Sequence, residues 1–134
     1  MIANPSPHFL LQEILWPNRW QSTVACVLLN LTRRVQVDRV WPILFEEAPD
    51  PQSLLLMEDE RLRCILKPLG LSNVRAKRLK RLANEWIQGV EYDNLHGLGE
   101  YALASDRIFY RNEIPTVVKD HALTKYVQWK RKEK

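Results

Sequence analysis

Cysteine is scarce: Cys26 and Cys64 are the only two in 134 residues. That excludes a disulfide-stapled secreted scaffold and a four-cysteine metal cluster, and it fits a reducing compartment. Long apolar runs are missing as well. The longest, Thr23 to Leu29, falls far short of the roughly 20 residues that cross a bilayer. The first residues lack the basic-then-apolar layout of a secretory leader. No period-two alternation marks a strand, and no repeat or low-complexity tract interrupts the chain. What is present is ordinary globular material. Hydrophobic residues make up 46% and charged residues 27%, enough for one core and too little charge for disorder. The length allows a single domain, so residues 1–134 are read as one, with a basic tail at 130–134.

The net charge of +4 hides an uneven distribution. Residues 1–60 hold 4 basic and 8 acidic side chains, and residues 85–134 hold 8 of each. Residues 61–84 hold 8 basic side chains (Arg61, Arg63, Lys67, Arg75, Lys77, Arg78, Lys80, Arg81) and no acid. Such a block is either a solvated helix face or a surface for phosphates.

Apolar spacing is helical throughout. Helices are expected at about 8–15, opened by Pro7, at 20–31, and at 35–45 through Val37, Val40, Trp41, Leu44 and Phe45. Asp50-Pro51 predicts a capped start for a helix reaching Leu66, broken by Pro68 and Gly70. Asn73 is expected to cap the next helix, Val74 to Trp86. After a loop at 89–94, Leu95-His96-Gly97-Leu98-Gly99 reads as a tight turn ahead of a helix at about 100–111. A loop at 112–116 and a last helix at about 121–130 complete an all-α chain without a sheet.

The glycine turn is the most specific local feature. Two glycines permit backbone angles that other residues resist, and they leave amide N–H groups uncovered at the start of the following helix. Such a terminus favours a phosphate and can hold a nucleic-acid backbone without reading its sequence. The plainer reading is an ordinary helix–helix turn. Asp120, just before the last helix, reads on its own as an N-cap, a role compatible with catalysis.

Taken together, the run from Leu66 to Lys77 (LKPLGLSNVRAK), Leu95 to Tyr101 (LHGLGEY), Asp106-Arg107-Ile108-Phe109 and Asp120 to Tyr126 (DHALTKY) resembles the helix-hairpin-helix DNA glycosylase superfamily. Gln12-Glu13 and Leu28-Leu29-Asn30-Leu31-Thr32 fit the same pattern, most nearly that of the glycosylase domain of methyl-CpG-binding thymine DNA glycosylases. The likeness runs from about Leu10 to Trp129. It implies a helical bundle with a cleft between two helical lobes, acting on a base flipped out of DNA.

The resemblance also implies roles. Asp120 matches the essential aspartate, which stabilises positive charge on the deoxyribose and helps a water attack. Tyr101 stands at the reacting centre where lyase-competent relatives carry a Schiff-base lysine, so a monofunctional enzyme that leaves an abasic site is expected. Gln12, Tyr101 and Ala122 line the base pocket. His96, Gly97 and Gly99 form the backbone-gripping hairpin, and Arg75 and Lys77 belong to the basic block that binds DNA. Leu71 matches the wedge that fills the gap after base extrusion. Read without the resemblance, Leu71 is a core leucine of its turn, Gln12 a solvent-facing helix residue and Tyr101 a buried aromatic with a bonded hydroxyl.

Two positions depart from the pattern. Leu31 stands where relatives place an Arg or Gln against the orphaned base, which puts a guanine-mismatch preference in question. Ala122 replaces a lysine beside the pocket, leaving room for a larger 5-substituent. No iron–sulfur cluster or other cofactor is implied, though the hairpin suits a monovalent cation. The expected partner is double-stranded DNA, met by a monomer with no membrane. The expected place is the cytoplasm or nucleoid of a prokaryotic or viral source, or the nucleus of a eukaryotic one. The expected substrate is uracil, thymine or a 5-substituted uracil in a mismatch or modified context. Thymine hypermodification of phage DNA and a non-catalytic DNA-binding module are the alternatives.

Overall fold

The computed structural model describes residues 10–111. The described residues form eight α-helices and two short 3-10 turns, with no strand among them. The helices are α1 (Leu11–Leu15), α2 (Arg19–Leu29), α3 (Arg34–Val37), α4 (Trp41–Glu47), α5 (Pro51–Leu56), α6 (Asp59–Leu66), α7 (Ser72–Ile87) and α8 (Glu100–Phe109). The expected loop at 112–116, the expected helix at 121–130, Asp120, Ala122 and the basic tail lie outside the described residues.

The chain divides into two units, one comprising Val27–Leu98 and the other Met1–Cys26 with Gly99–Lys134. In the central unit α7 packs against α5 and α6. The spacing of Ala76, Leu79, Leu82 and Ala83 explains why: all four fall on one face, and all four are buried. Leu54 of α5 and Leu62 and Leu66 of α6 are buried as well. Truncating a leucine as enclosed as Leu79 costs about 2–5 kcal/mol. In the other unit Leu11, Leu15, Val24, Ala25, Ala102, Ile108 and Phe109 are buried.

The helix that the 35–45 spacing predicts is in fact two, ending at Val37 and restarting at Trp41. Pro42 explains the break. It has no N–H to donate, so it is tolerated in the first turn of α4 and not in the interior of a longer helix. The helix expected from Pro51 to Leu66 is likewise broken, at Met57 and Glu58, whose ψ angles of 139° and 138° are extended. Asp59 and Glu60 favour a fresh N-terminus there. The Lys80 ammonium takes up the released C-terminal carbonyls, donating to Leu55 O at 3.2 Å and to Met57 O. Asp50 does cap α5, accepting from the Ser53 amide at 2.8 Å. Asn73, by contrast, caps nothing. Helix α7 begins at Ser72, out of a turn in which Gly70 (φ 75°) and Leu71 (φ 51°) both have positive φ.

Candidate nucleic-acid interface and base pocket

The central unit holds most of the residues expected to meet DNA. Leu31, Leu71, Arg75, Arg78 and Gly97 line one groove. Leu71 is 68% exposed, so it is not a core leucine of its turn, and Leu31 is 91% exposed. Lys77 does not join them. It lies across α7, beside Asn73, Lys80, Asp59 and Arg63.

The basic block is partly consumed in holding the chain. Arg61 donates from Nε to Glu47 at 2.9 Å and pairs with it a second time through Nη2. That hydrogen bond and charge hold the Glu47 carboxyl below its ordinary value. Lys80 pairs with Asp59 at 3.0 Å, and Arg81 with Glu85 at 3.1 Å. Arg75 donates from Nε to the Gly70 carbonyl at 3.0 Å and from Nη2 to the Asn30 carbonyl at 3.5 Å. Burial, and the charge of Arg78 nearby, lower the Arg75 pKa. Lys67, Lys77 and Arg78 form no ion pair among the described residues. The block is thus partly structural, and Lys67, Lys77 and Arg78 are left as its candidates for phosphate contact. Accordingly, Arg78→Ala is expected to reduce the slope of log K for DNA against log salt by about one. Arg61→Ala should leave that slope unchanged. Binding titrations at four salt concentrations check both.

The turn before α8 is anchored by a residue that the sequence did not single out. Glu85 accepts the His96 amide at 2.7 Å, which fixes the entry to the turn against α7. This bond, with Arg81 close by, keeps the Glu85 carboxyl below its usual range. Its hold is therefore complete above the ordinary glutamate pKa and is lost as pH falls through the lowered value. Gly97 has φ 86°, in the region where a side chain is strained. Gly99 does not share that need: its φ of −95° and ψ of −175° are extended, open to any residue. Its contribution as N-cap of α8 is the missing side chain, which leaves the first amides of the helix uncovered.

In the other unit, α1 and α8 bring two expected pocket residues together. Gln12 Nε2 donates to the Tyr101 hydroxyl at 2.8 Å and lies 3.6 Å from Cys26 Sγ. Gln12 is 0% exposed, which rules out a solvent-facing role. Its Oε1 is buried and has no hydrogen-bond partner among the described residues. A buried acceptor left unmade costs about 1–3 kcal/mol, so such a group calls for an incoming donor. Tyr101 is half-buried with its hydroxyl bonded.

The same unit contains a buried ion-pair cluster that the sequence reading did not foresee. Asp106 accepts from Arg19 Nε at 2.8 Å and Nη2 at 2.7 Å, and from Arg111 Nε at 2.8 Å. The only hint in the sequence is a lone acid among the apolar positions Ala102, Ile108 and Phe109 of α8.

Among the described residues the chain is all-helical, with a glycine turn feeding a helix and with basic and apolar tips around one groove, the arrangement of a helix-hairpin-helix fold. Comparison with known proteins makes this specific. Residues 24–133 match the HhH-GPD superfamily of base excision DNA repair proteins, and the chain belongs to that superfamily. It is 36% identical over 124 residues to a methyl-CpG-binding domain protein 4-like protein of Arabidopsis thaliana, covering 90% of this chain and 28% of that protein. It is 30% identical over 92 residues to a thymine/uracil-DNA glycosylase of Pyrobaculum aerophilum, covering 62% of this chain and 40% of that one. A solved thermostable thymine-DNA glycosylase shares the fold, with a TM-score of 0.68 at 22% identity over 75% of this chain and 51% of its own. The chain therefore spans well under half the length of these two curated relatives. No helix among the described residues is long and apolar enough to cross a membrane.

Proposed function

We propose that this chain is a monofunctional DNA glycosylase that releases a flipped-out pyrimidine from duplex DNA, working as a monomer without a cofactor. Water adds its oxygen to C1′ of the deoxyribose, the C1′–N1 bond breaks, and its electron pair leaves with the base. The water's protons end on the sugar hydroxyl and the departing base, leaving an abasic site. Asp120 stabilises the positive charge that grows on the sugar and orients the water. A tyrosine at 101 cannot form a Schiff base, so the strand stays intact until alkali is added.

The observation that carries the pocket assignment is the fully buried Gln12, whose Oε1 lacks a partner among the described residues while its Nε2 donates to Tyr101. Uracil and thymine both present an imino N–H that satisfies such an acceptor. Ala122, with its small side chain, suits a 5-substituted ring.

The test is a strand-cleavage gel on duplexes carrying G·U, G·T or 5-hydroxymethyluracil, with and without hot alkali. Cleavage that depends on alkali supports the reading. Cleavage without alkali overturns its monofunctional part, and no release of any base overturns it altogether. Gln12→Leu separates pocket from core. Removing the unsatisfied buried acceptor offsets loss of the Nε2 bond to Tyr101, so the melting temperature is expected to change little. Excision should fall about tenfold, by the cost of one lost hydrogen bond to the base. Thermal denaturation and single-turnover rates check the two halves.

A further inference from the structure

Among the described residues only two other than glycine have positive φ, and both are leucines: Leu31 at 61° and Leu71 at 51°. Left-handed backbone is unfavourable for a branched side chain, and exposure adds the cost of leaving it in water. Both strains occur twice, at 91% and 68% exposure, on the same groove. One side chain links them. Arg75 donates to the carbonyls of Asn30 and Gly70, the residues immediately before each leucine. Strained positions that a structure holds this firmly cluster at ligand-binding sites.

We propose, building on the glycosylase reading above and on the wedge role that the resemblance gives Leu71, that Leu31 enters the duplex beside it and makes the chain indifferent to the base opposite the one removed. The occupant is duplex DNA rather than an apolar peptide, because Arg78 and the Gly97 turn share the groove and offer a cation and an open backbone to phosphates. A leucine fills the space of an extruded base and stacks on apolar base faces. It has no donor or acceptor for a base edge, and base identity is read through edges. Arg75, the guanidinium nearest both tips, is already committed to carbonyls. Asn30 and Arg78 are the polar side chains left at the rim that could read a base.

Equilibrium binding of the full chain to duplexes bearing a tetrahydrofuran abasic analogue opposite each of the four bases tests this, because no target pair remains to bias the result. The four Kd values are expected to agree within about threefold, against the tenfold or more that one good hydrogen-bonded base contact gives. Leu31→Ala and Leu71→Ala should each weaken abasic-duplex binding about tenfold and intact-duplex binding less than about twofold. Leu31→Arg should create a guanine preference of about tenfold. Leu31→Gly, which relieves the backbone, should raise the melting temperature and still lose the abasic-site preference; a purely structural leucine would not dissociate the two. A spread above tenfold in the wild type overturns the proposal, whether or not Asn30→Ala removes it. So does wild-type binding by Leu31→Ala. The assay needs no catalysis, so failure of the glycosylase reading shows separately, as absence of base release in the gel.

Discussion

Exchanging Asp120 for Asn is expected to slow base release by about a thousandfold, within the range that loss of one acid–base or electrostatic catalytic group produces. DNA binding should be unchanged or slightly tighter, since one negative charge is removed from a protein proposed to bind a polyanion. The measurement is single-turnover excision from a G·U duplex with enzyme in excess, resolved on a gel after alkali. Retention of more than about a tenth of the rate would shift the chemistry to another group. Asp106, the buried carboxylate of the described residues, does not offer itself: three guanidinium N–H bonds already occupy its two oxygens.

The same cluster yields the largest expected effect of a polar exchange on stability. Asp106 is 1% exposed, while Arg19 and Arg111 are 41% and 28% exposed. Asp106→Ala leaves two guanidinium groups facing each other without the acid that joins them. Breaking a buried pair from one side typically costs 3–5 kcal/mol. Solvent reaches both arginines and screens their repulsion, so about 2–3 kcal/mol is expected. For a chain of this size that lowers the melting temperature by roughly 6–12 °C. Asp106→Asn keeps the shape and two acceptor contacts at most, and should lose about half as much. Circular dichroism melts of the full chain decide both, and a loss below about 1 kcal/mol for the alanine variant would show that the cluster is ornamental.

The helical class was legible because α7 and α8 carry clean three-to-four spacing, and the glycine turn between them has few alternative readings. Their boundaries were less so. Apolar spacing continues through Pro42 and masks the break there. The break at Met57 was invisible because its compensation comes from Lys80, far along the chain. The site divides in the same way. Gln12, Tyr101, Leu71 and Gly97 could be named as candidates from motif and position, and folding sets Gln12 against Tyr101 and places Leu71 and Gly97 on one groove. The partner of the His96 amide, the clamp made by Arg75 and the pairing of Arg19 with Asp106 depend on which side chains folding brings close. No local pattern carries that information. Lys77 shares a basic run with Arg75 and Arg78, but one residue of helical rotation carries it to a different face.

The Arg75 bridge bears on how fast this protein engages its target. Groups that must first find their bound arrangement give up motional freedom on association, which weakens and often slows binding. Here a guanidinium already ties the chain just ahead of both tips, at Asn30 and at Gly70. Association should therefore proceed without a rearrangement step, with its speed governed by electrostatic attraction along the duplex and falling steeply as ionic strength rises.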